Sequence, residues 1–223
     1  MKFFTTLFLL VASAAISQAG LVTCPDTTYP VFPIAGASGG TASSCGNAGV
    51  TATTAFAATP GNGTVPTSFL STYLGVNLSV LLNGKDYTAT EGSAVRFASF
   101  NVSSGSTISF NWEGVFEEGG TGSLFYILNG SLFTLSQIVP TNEGLPGVTT
   151  SGSVTTSLLT GSNTLGFGAI TLQSNQVASV VADPQINVSN LVVTSTAVPE
   201  PATFGLMGVA LAGLALFGRR RKS

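Results

Sequence analysis

Few side chains in this sequence can do proton or metal chemistry. None of its 223 residues is histidine, so acid–base work near neutral pH falls to carboxylates. Three of them, Glu113, Glu117 and Glu118, follow the Phe110/Trp112 segment, and a pair of carboxylates is what glycoside hydrolysis needs. The pair Glu117-Glu118 beside Gly119-Gly120 is also what a solvated turn looks like, and that simpler reading is adopted. A serine nucleophile needs a base, and Lys85 or an acid would be an unusual choice. With no usable constellation, no enzymatic activity and no catalytic residue is expected. Asp86, Glu91, Glu117, Glu118 and Asn111 carry oxygens that suit calcium, but no spaced loop motif gathers them, so no metal ligand is assigned and no cofactor expected. Trp112, the single tryptophan, could stack on a sugar; its parity with Ile108 and Phe110 assigns it to a core.

Cys24 and Cys45 are the only cysteines. In an oxidising compartment they most simply form one disulfide, closing a loop of about twenty residues and contributing on the order of 3 kcal/mol. Metal binding would need more ligands. Lipidation of Cys24 is suggested by Leu21 three residues before it, but Thr23 is a poor residue directly before a lipidated cysteine.

Compartment is written at both ends. Lys2 precedes an apolar stretch over 3–16 and then Ser17-Gln18-Ala19, whose small residues Ser17 and Ala19 sit where signal peptidase requires them, so cleavage is expected after Ala19. At the other end, Pro199-Glu200-Pro201 leads into an uncharged run over 202–218 and then Arg219, Arg220, Arg221 and Lys222. The run is apolar on every face and long enough for about 25 Å of helix, at the short end of what spans a bilayer. Basic residues stay cytoplasmic, which places everything before Pro199 outside. Gly208 and Ala212 form a small-xxx-small pair that reads as filler in an apolar span.

This end resembles the PEP-CTERM sorting signal of Gram-negative bacteria: a Pro-Glu-Pro motif, a transmembrane segment and a basic terminus, in that order. The resemblance implies an integral-membrane processing enzyme, an exosortase, that recognises the motif and cuts near it on the way to the surface or the exopolysaccharide. The chemistry agrees. Two prolines keep the chain extended and unable to pair in a sheet, and Glu200 sits beside a helix N-terminus whose dipole favours an anion. The implied partners are signal peptidase, the exosortase-type enzyme and, through the C-terminal helix, the membrane.

Between the two ends the composition is unusual. Charged residues make up only 7% of the chain, and the part from 20 to 198 keeps Lys85 and Arg96 against eight acids, a net charge of −6. That balance disfavours nucleic acid and anionic lipid. Apolar strand formers are abundant, with Ser, Thr, Asn and Gly supplying polarity, so the segment is not disordered in type. Asn62, Asn77, Asn101, Asn129 and Asn187 each open an Asn-x-Ser/Thr triplet and are read as polar strand and turn residues.

The elements that would carry these residues are mostly strands. Residues 20–66 are cut by Pro25, Pro30, Pro33, Pro60 and Pro66 and are expected to be irregular, pinned by the disulfide, with one or two edge strands around 49–58. Thr67 reads as an N-cap, Phe69, Leu70, Tyr73 and Leu74 as an apolar helical face, and Gly75 as a stop, predicting a two-turn helix. From Ala94 the period becomes two. Ile108, Phe110 and Trp112 define a one-face-buried strand, entered by a turn at 103–106 from a strand over 94–102. In that earlier strand Val95 and Phe97 fall on one face but Phe100 and Val102 on the other, which predicts a bulge near Ala98-Ser99 or burial on both faces. Further strands are predicted over 123–128, 132–136, 153–159, 163–172 and 185–195, with Asn129-Gly130 a hairpin signal. The fold class that follows is all-β, an antiparallel β-sandwich of jelly-roll type with one short helix, followed by a C-terminal transmembrane helix. The succession FLSTYLG, TEGSAVRF, TISFNWEGVFEE and SLFYILNG also looks like ectodomains commonly joined to PEP-CTERM tails. Members often carry an Asp just before the strand at Leu124; Gly or Ser stands there in this chain.

The predicted organisation is a signal peptide over 1–19, a disulfide-pinned stretch over 20–66, a β-sandwich over 67–198 and a sorting and anchor segment over 199–223. The expected function is that of an exported, non-enzymatic structural or adhesive protein of the envelope or exopolysaccharide matrix. The alternatives are a carbohydrate-binding module for exopolysaccharide and, third, a secreted hydrolase.

Overall fold

The computed structural model describes residues 24–29, 34–59, 64–82, 87–118, 120–139, 146–174 and 184–195. Alternating apolar residues build twelve strands: β1 (Thr27–Tyr29), β2 (Thr41–Cys45), β3 (Ala48–Val50), β4 (Thr54–Ala58), β5 (Val65–Pro66), β6 (Tyr87–Val102), β7 (Ser106–Phe116), β8 (Gly122–Leu128), β9 (Ser131–Ile138), β10 (Val148–Ser157), β11 (Gly161–Ser174) and β12 (Gln185–Ser195). They form two antiparallel sheets. One runs β1-β2-β6-β11-β8-β9, with β5 also on β6; the other runs β10-β7-β12-β4-β3.

The sheets bury a shared core. Val95, Phe97, Phe100, Leu124, Tyr126, Leu165 and Phe167 from the first meet Ile108, Phe110, Phe116, Ile186 and Val188 from the second. The Phe110 ring stands edge-on to Phe167, centroids 4.9 Å apart, and to Tyr126 at 5.5 Å, the offset geometry that the ring quadrupole favours.

A third layer lies outside the seven-stranded sheet. There α1 (Thr67–Leu74) and a 3-10 turn (Leu78–Leu82) place Leu70, Tyr73, Leu74, Leu78 and Leu81 on Ala94, Phe125, Ile127, Ile170 and Leu172. This explains why every residue of β8 is buried. Its two faces serve two cores. Glycines allow the helix to come close: a Cβ on Gly92 would lie 2.8 Å from Leu70 Cδ1, and one on Gly166 3.2 Å from Leu74 Cδ2.

Gly75 ends the helix in the left-handed conformation at φ 72°. The helix start differs from expectation. Pro66 occupies the N-cap, Thr67 is the first helical residue, and the Thr67 hydroxyl is buried with no hydrogen bond. Proline's fixed φ suits a helix entrance, which displaces the threonine by one position. Phe69, expected on the packed face, is 39% exposed because α1 turns only Leu70, Tyr73 and Leu74 onto the sheet.

The face switch in β6 is a bulge. Phe97 pairs with Leu165 and Phe100 with Asn163, so Ala98 and Ser99 oppose one residue, and Ser99 takes φ 59°. Val95, Phe97 and Phe100 thereby reach the same core. Asn129 and Gly130 both have positive φ, 50° and 79°, as a two-residue hairpin between β8 and β9 requires.

The stretch before α1 is more regular than expected, with five short strands by Pro66. β4 is interior, paired with both β12 and β3, where an edge strand is expected. Ala42, Ala55 and Ala57 fill the core there, and such small side chains give a weak alternation signal. β10 begins at Val148, earlier than the expected 153. The chain passes from one sheet to the other between β6 and β7 and again between β7 and β8, so neither pair forms a hairpin. No helix among the described residues is long and apolar enough to cross a membrane, and 202–218 lies outside them.

Candidate binding face

The expected disulfide is formed. Cys24 and Cys45 are joined with Cα atoms 5.2 Å apart, tying the start of the domain to the end of β2. Asp26 reinforces the same corner, accepting from the Gly46 N–H at 2.8 Å and the Ser44 hydroxyl at 3.3 Å.

The candidate chemical residues are dispersed. Glu91 accepts a 2.6 Å hydrogen bond from the Thr64 hydroxyl, Glu113 projects from the outer face of β7, and Glu117 and Glu118 are exposed on the turn after it. No three His, Cys, Asp or Glu residues cluster among the described residues. Lys85, Asp86, the leader residues Ser17 and Ala19, and the tail residues Pro199, Glu200, Pro201, Arg219, Arg220, Arg221 and Lys222 lie outside the described residues.

Arg96, the one cation among the described residues, is committed to structure. Its Nη1 donates to the Tyr73 carbonyl at 2.8 Å, at the C-terminal end of α1 where a cation complements the helix dipole. The Tyr73 phenol hydrogen-bonds Ser43 Oγ at 2.8 Å, and burial holds its pKa well above the ordinary value of 10.0.

What the structure does bring together is a polar face. On the outside of the five-stranded sheet, strict alternation puts Asn111 and Glu113 of β7 between Ser151 and Ser153 of β10 and Asn187 and Ser189 of β12. Thr54 of β4 extends the row beyond Ser189. These residues line an open depression of about 680 Å³. Phe56 stands on the same face, directly opposite Asn187 and 38% exposed, with Gly49 beside it leaving room for the ring.

At one end of the sandwich two asparagine amides are used up internally. Asn129 Nδ2 donates to Asn163 Oδ1 at 2.8 Å, and Asn163 donates to the Leu159 and Gly161 carbonyls at 2.8 and 2.9 Å, locking one end of the sandwich. The side chains of Asn111 and Asn187, by contrast, have no hydrogen-bond partner among the described residues. Their alternation with the core residues of β7 and β12 is legible in sequence, but the gathering of three strands' polar rows into one depression depends on strand order.

Trp112 corrects a simpler expectation. It has the inward parity and packs against the core, yet is only half-buried, because its β10 neighbour is Gly152 on the edge strand. A Cβ built on Gly152 would lie 2.8 Å from Trp112 Nε1, so the glycine makes way for the indole.

Residues 197–222 match the family model of the PEP-CTERM protein-sorting motif, the tail already read at Pro199, Glu200 and Pro201. The motif is that of an exported, surface-sorted protein and of processing by an exosortase-type enzyme. No curated protein matches the chain. Among solved structures, one described as "Structure of a family 35 carbohydrate binding module from an environmental isolate" is similar over 74% of this chain and 94% of its own, at 15% identity and a TM-score of 0.27. A superposition at that level carries no functional argument.

Proposed function

We propose that this protein is a non-enzymatic structural or adhesive component of the cell envelope or exopolysaccharide matrix, delivered there by its C-terminal sorting signal. The match of 197–222 to a sorting motif is the observation that carries the reading. In this account signal peptidase removes 1–19 and 202–218 holds a membrane-anchored precursor. The exosortase-type enzyme then releases the ectodomain near Pro199-Glu200-Pro201 to the surface or matrix. No cofactor has a part in it.

An ordinary anchor needs only an apolar span and its cations; a sorting signal needs the extended motif that two prolines impose. Replacing Pro199-Glu200-Pro201 by three alanines therefore separates the two. In a host with the processing enzyme, mass spectrometry of wild-type protein should find the C-terminus shortened, while the variant accumulates at full length in the inner membrane. Wild-type protein that keeps Arg219 to Ser223 at the surface would sink the proposal.

A second reading, a module that binds neutral polysaccharide, is favoured by one observation: the depression beside Phe56 offers amides and hydroxyls with a single carboxylate and no cation. Such a surface complements sugar hydroxyls, and an exposed ring supplies a stacking platform. Under this reading Phe56→Ala combined with Asn187→Ala releases the sorted protein from the polysaccharide fraction without unfolding it. Unchanged retention counts against it.

A further inference from the structure

We infer that β10 is a docking edge for a second copy of this chain, the two β10 strands pairing antiparallel so that two five-stranded sheets become one continuous sheet. The inference concerns the edge of that sheet and is independent of what its face binds.

A sheet edge exposes a row of unpaired N–H and C=O groups, and folded proteins blunt such edges with short strands, bulges, prolines or charges. Among the described residues, the other edges of both sheets carry one of these devices. β1 and β3 have three residues each, and the register of β9 on β8 breaks between Leu124 and Phe125. β10 carries none of them. It pairs with β7 through ten consecutive residues without a register break, from Val148 opposite Phe116 to Ser157 opposite Thr107. Its sequence, VTTSGSVTTS, holds no charge and no proline, and it is rich in the β-branched residues that favour strands. Among the described residues, β7 is its one neighbour in the sheet.

The sequence of the strand points to another copy of itself. Placing a two-fold axis at Ser153 sets Thr150 opposite Thr156, Ser151 opposite Thr155 and Thr149 opposite Ser157, hydroxyl against hydroxyl. Directly opposed residues share a face, so this register keeps both apolar faces inside. It also sets Gly152 opposite Val154 of the second copy. Gly152 is where the half-buried Trp112 indole reaches the edge, so that valine covers an otherwise wet aromatic surface. Charge does not oppose the approach: Glu113 stands one strand inward, opposite Ser151, and Glu117 and Glu118 lie beside Gly147, before the start of β10 and away from the axis. The far edge of the sheet is the three-residue β3, so pairing closes as an isologous dimer and does not propagate.

The test uses the full-length chain in detergent with single cysteines added on β10. The two native cysteines are already joined, so any interchain bridge comes from the added thiol. Opposed Cα atoms in an antiparallel pair are about 4.5–5.5 Å apart, within disulfide reach. Ser153→Cys should give a covalent dimer on a non-reducing gel, and Ser151→Cys and Thr155→Cys much less. Thr134→Cys on β9, an edge of the other sheet, should give only background. A yield from Ser153→Cys no greater than from Thr134→Cys, or a maximum at Ser151 or Thr155, overturns the pairing. As a measurement without crosslinking, Trp112 emission should shift to the blue with rising protein concentration in the wild type and not in Ser153→Lys, which opposes two ammonium groups across the axis. Wild-type emission that is independent of concentration also overturns it.

Discussion

On the outer side of the seven-stranded sheet, Phe125, Ile127 and Ile170 lie beneath Leu70, Tyr73 and Leu74 of α1; on the outer side of the five-stranded sheet, Asn111, Glu113 and Asn187 face water. Both outer faces belong to strands whose inner faces share one core, so the difference is not imposed by that core. The covered face has its apolar rows, its glycines and the Arg96 bond to Tyr73 committed to holding a helix in place. The open face adds amides and hydroxyls whose removal leaves no buried group unsatisfied. Stability therefore belongs to the first face, and the second is free to serve contact.

Four measurements sharpen or break this contrast. Phe125→Ala removes a fully buried ring from under α1 and should cost about 3–5 kcal/mol in chemical denaturation; a cost under 1 kcal/mol would mean the helix layer adds little. Trp112→Ala, half-buried at the open edge, should cost less, roughly 2–3 kcal/mol. If it matches Phe125→Ala, the edge is as closed as the helix layer.

The third measurement is pH dependence. Burial raises the Tyr73 pKa above its ordinary 10.0, so the unfolded chain gives up this proton first as pH rises. Stability from this group is whole below pH 10 and declines above it until the folded phenol itself ionises, at up to about 1.4 kcal/mol per pH unit. Tyr73→Phe should flatten the alkaline limb of the profile, and a limb of unchanged slope would show that the phenol is not the cause. The smallest effect is expected on the open face, where Asn111→Ala with Asn187→Ala should stay within about 0.5 kcal/mol of wild type. A larger loss would show that these amides hold structure.

Much of this was legible in the chain. The helix from Thr67 to Leu74 with its Gly75 stop, the Asn129-Gly130 hairpin, the strand centred on Phe110 and the face switch near Ala98-Ser99 all follow from spacing, because each depends on residues close in sequence. The Cys24–Cys45 bridge follows from cysteine count and compartment. What stayed hidden depends on partners far along the chain. β2 and β4 present alanines to the core: Ala42 sits between threonine and serine, and Ala55 and Ala57 flank an outward Phe56, so the alternation is faint or inverted until large rings from other strands fill the space above the alanines. Trp112 has the parity of a core residue, and only the edge position of Gly152 leaves it half open. The open depression has no local signature either, because serines and asparagines on three strands look alike whether they are scattered or side by side.

The place where the domain hands over to its tail has a mechanical meaning. β12 ends at Ser195, just before the sorting segment, and lies in the middle of its sheet with β7 on one side and β4 on the other. Its end is fastened further, with Ser195 Oγ 3.0 Å from both Ser103 Oγ and Ser106 Oγ. Under the proposed sorting route, a pull from the tail enters the domain at Ser195, the C-terminal end of β12. Gln185 to Ser189 are laddered on both sides, to β7 and β4, while Val192 to Ser195 pair with β7, so a load at Ser195 is carried first by the β7 ladder and the serine hydroxyl bonds and then by both neighbours.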